Sequence, residues 1–403
     1  MNATVGRTGP SAAQYGQSSG RAVASATRRG TAQRSTTSAK SDQTQNDQTQ
    51  NDLIQNDLMQ NEETSTTMTS TRPSAILAMT PESLADVFSP TARARLERTV
   101  TLIGPQPITD FAHEHARSAL QEAQIMITGW EAPPIDGDVI DAAPRLRAIV
   151  HAAGTVKTFL SREVFSRGIR VSSCAAMNAI PVAEFTMACI VFGLKRASVF
   201  AARLRQTHGV RSTEGMHPIG TNGVTVGLVG ASRVGREVIR LLREYDVRVL
   251  VSDPYLSDTE ALRLGVERVP LPELCRRSDV LSVHAPANES TLGMIGAEEL
   301  ALLHDGAVVI NTARGQLIDA DALTAELVSG RLDAYLDVTD PEPLPAGSPL
   351  YTLPNVVVTP HIAGALGNEV HRLGDLAVDE VARAATGLPF EHEVRVSDLA
   401  HIA

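Results

Sequence analysis

The most constraining feature of the chain is a stretch of about 30 residues that begins at Gly223. Val224-Thr225-Val226-Gly227-Leu228-Val229 is an apolar run of strand type. Gly230-Ala231-Ser232-Arg233-Val234-Gly235 forms a turn, and a helical pattern covers Arg236 to Tyr245. Val247 to Ser252 is a second strand, which Asp253 ends. This is a βαβ unit in the setting that a dinucleotide-binding turn requires. Gly230 makes the tight turn and Gly235 lets helix and strand approach closely. The N–H groups between them, at the helix start, face a pyrophosphate. An acid about 20 residues further on accepts hydrogen bonds from ribose hydroxyls and repels an added ribose phosphate, so Asp253 points to NAD. Ser232 stands where a middle glycine is usual. Its CH2OH crowds the approach to the pyrophosphate, but its hydroxyl is able to donate to a phosphate, so adjusted binding is expected.

The flanking sequence repeats the strand-and-helix alternation of a parallel α/β sheet. Before the turn, Ser74 to Met79, Gln124 to Thr128, Leu146 to His151 and Gly168 to Ser172 have strand character. Val182 to Lys195 is a long apolar helix pattern, suited to bridging two domains or meeting a partner. After the turn, Ser278 to Val283 runs into His284-Ala285-Pro286, and Gly306 to Asn311 runs into Thr312-Ala313-Arg314-Gly315. Leu332 to Leu336 leads to Asp337-Val338, and Asn355 to Val358 leads to Thr359-Pro360-His361. Successive parallel strands thus deliver a polar residue to one sheet edge, the edge where ligands bind in doubly wound sheets.

Five segments together resemble the D-isomer-specific 2-hydroxyacid dehydrogenase family. They are Gly230–Gly235, His284-Ala285-Pro286, Asn311–Gly315, Asp337-Val338-Thr339-Asp340-Pro341-Glu342-Pro343-Leu344 and Thr359-Pro360-His361-Ile362-Ala363-Gly364. The resemblance implies that Arg314, Glu342 and His361 are catalytic. Arg314 would bind a carboxylate and polarise the adjacent carbonyl through its planar fork of donors. His361 would pass a proton to the carbonyl oxygen, and Glu342 would favour the imidazolium. The resemblance further implies cofactor contacts at Gly230, Ser232, Arg233, Val234, Gly235, Asp253, Ala285, Pro286, Thr312, Ala313, Asp337, Ala363 and Gly364. Asp337 matches the residue that holds the nicotinamide carboxamide. Ala153-Gly154-Thr155-Val156 resembles the loop that offers backbone N–H groups to the substrate, so Gly154, Thr155 and Val156 join Arg314 there. Departures from the family lie at this edge: Thr158-Phe159 replaces the usual Asp-Asn pair, Val156 replaces a glycine with Lys157 following, and Thr339 replaces an aromatic.

The resemblance implies an α/β fold of two Rossmann-like or flavodoxin-like domains with parallel sheets and an active cleft between them. A substrate domain is expected over residues 72–177 and 364–403, and an NAD-binding domain over 178–363. The implied activity is an NAD-dependent oxidoreductase that moves hydride between nicotinamide and a small 2-hydroxy or 2-keto acid, such as phosphoglycerate or glyoxylate/hydroxypyruvate. The alternative is an NADH-sensing, corepressor-like binding protein on the same scaffold. A homodimer joined through the cofactor domains is expected, with Val182 to Pro218 contributing.

Composition closes off other classes. Thirty-six basic against forty-six acidic residues give a formal charge of −10, a poor match for nucleic acid. One Trp, five Tyr and eight Phe leave little for base stacking. No run of 18 apolar residues is present, so no membrane span is expected. Cys174, Cys189 and Cys275 lack metal-type spacing; they suggest free thiols in a reducing cytoplasm, with no metal site. Residues 1–71 are polar, and carry a pentapeptide array (QNDQT, QNDLI, QNDLM, QNEET) from Gln45. Such a stretch buries too little apolar surface to offset its ordering entropy, so a disordered tail is expected.

Overall fold

A computed structural model describes residues 72–104 and 106–400. The expectation for residues 1–71 lies outside them. The described chain builds two α/β lobes, each around one sheet. The first sheet contains β1 (Ser74–Ala78), β2 (Thr101–Leu102), β3 (Ile125–Thr128), β4 (Ala148–His151) and β5 (Arg170–Ser173). The second contains β6 (Val224–Val229), β7 (Val247–Ser252), β8 (Glu267–Arg268), β9 (Val280–Val283), β10 (Val308–Asn311), β11 (Asp333–Leu336) and β12 (Val356–Val358). A late strand, β13 (Glu393–Val394), returns to the first sheet and pairs antiparallel with β5; every other pairing is parallel.

The strand orders are β13-β5-β4-β3-β1-β2 and β12-β11-β10-β9-β6-β7-β8. Strand side chains alternate between faces, and each sheet sorts them into two cores. In β1, Ala75 and Leu77 join one cluster while Ile76 and Ala78 join the other. In β10, Val309 packs on one side of the second sheet, and Val308 and Ile310 on the other. Burial on both faces explains why these strands read as unbroken apolar runs.

Helix α1 (Ala175–Leu194) links the lobes. It starts seven residues before the expected Val182, because Pro181 is accommodated inside it and buried. The boundary expected at 177/178 therefore falls within a continuous helix. By length and composition α1 is apolar enough to cross a membrane, which the search for an unbroken apolar run did not register. In this fold it packs on helix α3 (Arg233–Leu242) and on β10, with ten residues buried. Helix α2 (Ala197–Thr207) follows and buries none of its residues. Helix α4 (Val370–Ala385) carries the chain back, setting Leu373, Ala377, Val378 and Val381 against the first sheet.

Candidate active site

The strand order of the second sheet reverses between β6 and β9, and a crevice opens where such sheets bind ligands. Gly230 leaves β6 at φ +100, a conformation that favours glycine. Helix α3 begins at Arg233, with Ser232 as its N-cap: the Ser232 hydroxyl accepts from the Gly235 N–H at 3.3 Å. Ser232 thus organises the helix start while its own proton stays available to a ligand. A Cβ on Gly235 would lie 2.3 Å from the Gly230 carbonyl oxygen, which is the close approach expected there. Asp253 holds the same turn, accepting from the Ala231 N–H at 2.7 Å and the Tyr255 N–H at 2.8 Å.

The crevice, about 410 Å³, is lined by Ser232, Arg233, Val234, Ala285, Thr312, Ala313 and Arg314. Gly230, Gly235, Asp253 and Pro286 are not among its lining residues. His284, which the sequence brings to this edge without assigning it a cofactor contact, also lines it. Its ring is fully buried, which pulls it down to about 4. Nε2 pairs with the Ser282 hydroxyl at 2.9 Å, and Nδ1 has no partner. A helix N-terminus, a capping hydroxyl and an orphaned buried nitrogen suit the phosphates and polar edges of a dinucleotide.

A larger cleft of about 940 Å³ joins this crevice and brings in the first lobe. Arg314, Asp337, His361, Ala363 and Gly364 line it together with Gly154 and Thr155. Val156 turns its side chain into the first lobe's core instead, so only its backbone is left for a ligand. Arg314 is placed by its neighbour Asn311, whose side-chain amide donates to the Arg314 carbonyl at 2.8 Å. Burial lowers the Arg314 guanidinium, and the Glu342 charge opposes that effect. Gly315 lets the β10 and β11 loops touch: a Cβ there would lie 2.0 Å from the Thr339 carbonyl oxygen.

His361 Nδ1 lies 2.8 Å from Glu342 Oε1. A carboxylate only accepts, so Nδ1 carries a proton and Nε2 is the nitrogen left for a ligand. His361 has φ +55, an uncommon conformation for a residue with a side chain. Buried Asp337 holds it there. One Asp337 oxygen accepts from the Thr359 hydroxyl (2.6 Å) and the Ile362 N–H (2.9 Å), the other from the Ala363 N–H (2.8 Å). The carboxylate read as a carboxamide anchor is thus already engaged with the His361 loop, leaving little free acceptor capacity.

Four further residues were not anticipated. Asn178 on α1 accepts from the Ala365 N–H at 2.9 Å and lies beside Gly154, tying the linking helix to two loops that line the cleft. His151, the last residue of β4, lines the cleft; burial lowers it to about 3. Its Nδ1 pairs with the Thr128 hydroxyl at 2.9 Å and its ring packs on Phe159. Trp130 and Glu131 follow β3 into the cleft, with Glu131 at φ +57. None of these carries a local sequence signal.

Two parallel α/β lobes, a dinucleotide crevice at the switch point and an Arg, Glu and His set at the strand ends define a nicotinamide-type oxidoreductase scaffold. Residues 187–363 match the profile of the D-isomer specific 2-hydroxyacid dehydrogenase, NAD binding domain. A glyoxylate/hydroxypyruvate reductase B of Yersinia enterocolitica is 30% identical over 301 residues, 74% of this chain and 92% of that protein. The chain belongs to the D-isomer-specific 2-hydroxyacid dehydrogenase family, and its cofactor is NAD. A D-3-phosphoglycerate dehydrogenase of Archaeoglobus fulgidus is 31% identical over 66% of this chain, which spans about half (50%) of that protein. The crystal structure of a phosphoglycerate oxidoreductase from Rhizobium etli superposes with TM-score 0.69 at 28% identity, over 81% of this chain and 98% of that one.

Proposed function

We propose that this protein is an NAD-dependent reductase of a small 2-keto acid, working reversibly on the matching D-2-hydroxy acid. The observation that carries the reading is the 2.8 Å pair of His361 and Glu342, with His361 facing the cleft that Arg314 also lines. Bound NADH supplies the hydride. Arg314 holds the acid's carboxylate and polarises its carbonyl. Gly154 and Thr155 add backbone donors from the other lobe. His361 delivers its Nε2 proton to the carbonyl oxygen, while Glu342 orients the ring and compensates its charge. In the oxidative direction the same nitrogen takes the proton back. Ser232, Arg233 and Val234 present helix-start donors to the pyrophosphate, and Asp253 offers its remaining lone pairs to a ribose.

The relatives' names keep phosphoglycerate, glyoxylate and hydroxypyruvate as substrate candidates. We also propose a homodimer built on α1 and α2, because Phe192 and Leu204 are more than half exposed and α2 buries nothing within its own chain. Three buried free thiols suit a reducing cytoplasm. The test is NADH oxidation against a panel of 2-keto acids, for the wild type and Arg314→Ala. The variant is expected to lose about 10³-fold or more in kcat/KM while NADH affinity stays within a few-fold. Unchanged turnover in that variant refutes the assignment. Negligible wild-type turnover with tight NADH binding favours the sensor reading.

A further inference from the structure

The part of the larger cleft that the first lobe lines bears on the substrate's side chain. Here β3 runs through Gly129 into Trp130-Glu131, and Asp86 and Phe159 complete the surface. Gly129 packs tightly: a Cβ would lie 2.7 Å from the Ser83 hydroxyl, so this turn is fixed against the helix Pro81–Val87. Trp130, the only tryptophan of the chain, leaves 37% of its surface open. Among the described residues, neither the Asp86 nor the Glu131 carboxylate has a hydrogen-bond or ion-pair partner. Arg314 is the only Lys or Arg in the lining. Lys157 lies close enough to Arg314 for the two cations to repel, but it does not line the cleft. His151, Asp337, His361 and His371 are the other ionisable residues of the lining.

An acid whose carboxylate is held at Arg314 shares the cleft with these groups, so its side chain has to be accommodated beside them. A phosphate or second carboxylate would meet two unpaired like charges with no fixed cation to compensate them. An uncharged ring would meet an indole and a phenyl, and bury apolar surface against both. We infer that the substrate carries an uncharged, ring-sized apolar side chain, and that Asp86 and Glu131 select against acids with a second anionic group. This rests on the 2-keto acid reading above and narrows its substrate class.

The experiment compares kcat/KM for phenylpyruvate, 3-phosphohydroxypyruvate, 2-oxoglutarate and 2-oxo-5-guanidinopentanoate, with NADH binding and circular dichroism measured on the same samples. Phenylpyruvate is expected to exceed both the 2-oxoglutarate dianion and the more highly charged 3-phosphohydroxypyruvate by about 100-fold. Glu131→Gln and Asp86→Asn should each raise the dianion-to-phenylpyruvate ratio about 5-fold, and Trp130→Ala should lower phenylpyruvate about 10-fold relative to pyruvate. A preference for the phosphorylated, dicarboxylic or guanidino acid overturns the inference and leaves the reductase reading standing. So does a dianion ratio that neither carboxylate substitution moves. No turnover with any acid, in folded protein that binds NADH, overturns both.

Discussion

Two histidines kept neutral by burial make the fold acid-labile in a way that can be calculated. His151 ends a strand of the first sheet and is lowered to about 3; His284 follows a strand of the second and is lowered to about 4. In the unfolded chain both return to 6.5. Between the native and unfolded values the unfolded chain binds more protons, so stability rises with pH there. The contribution is complete above about 6.5 and is lost as pH falls toward the native values. At pH 5 each histidine has forfeited about 2 kcal/mol relative to pH 8, about 4 together, against a total stability of roughly 5–15 kcal/mol. Urea unfolding at pH 8 and pH 5 measures this, with His151→Asn and His284→Asn as comparisons. Carboxylates and exposed histidines are common to all three proteins and cancel in the difference. Each variant should lose about 2 kcal/mol less than wild type on acidification, whatever its stability at pH 8. If the lobes unfold separately, each substitution acts on its own lobe's transition. Parallel losses in wild type and variants would refute the claim that these rings are held neutral.

Gly235→Ala places a methyl 2.3 Å from the Gly230 carbonyl oxygen, where backbone has to move. NADH binding by calorimetry should weaken about 30-fold or more, and unaltered affinity would show that the turn does not form the cofactor site. The double substitution Phe192→Glu, Leu204→Glu places charges on the open face of α1 and α2. Analytical ultracentrifugation should find wild-type dimer and variant monomer, and a dimeric variant would move the proposed interface elsewhere.

The parts legible in the sequence are those whose physics is local. The glycine turn announces itself because Gly230 and Gly235 answer constraints within one supersecondary unit. The strand-end residues Arg314, Asp337 and His361 follow from the parallel sheet, since every strand of such a sheet points the same way. What stayed hidden depends on partners far along the chain. Asn178 is a cleft residue only because Ala365, 187 residues later, folds back onto it. The start of α1 was misplaced because Pro181 lacks an N–H and reads as a breaker, whereas burial of its ring among the helix's other apolar residues compensates for the missing bond. The resemblance of the Ala153–Val156 loop points to Val156 for its backbone and leaves its side chain unassigned; that apolar side chain gains most from the core behind the cleft, where it packs.

The neutral histidines bear on the electrostatics of recognition as well as on stability. Each sits at the carboxyl end of a strand, facing the space between the lobes, where a charged imidazolium would offer an anion a second place to bind. Burial removes that charge and leaves hydrogen-bonding nitrogens: His151 toward Thr128 and the Thr155 backbone, His284 toward Ser282 and the crevice. Among the described lining residues Arg314 is then the permanent cation, and under the proposed function it holds the carboxylate with help from the Gly154 and Thr155 backbone. In that proposal the proton for the neighbouring carbonyl comes from His361, whose ring keeps half its surface open and is paired to Glu342. Separating a fixed cation for binding from an exposed imidazole for proton transfer requires the other two rings to stay uncharged. The burial that makes the fold acid-labile is therefore the same burial that, under the proposed function, leaves a carboxylate no second cationic imidazole to compete with Arg314.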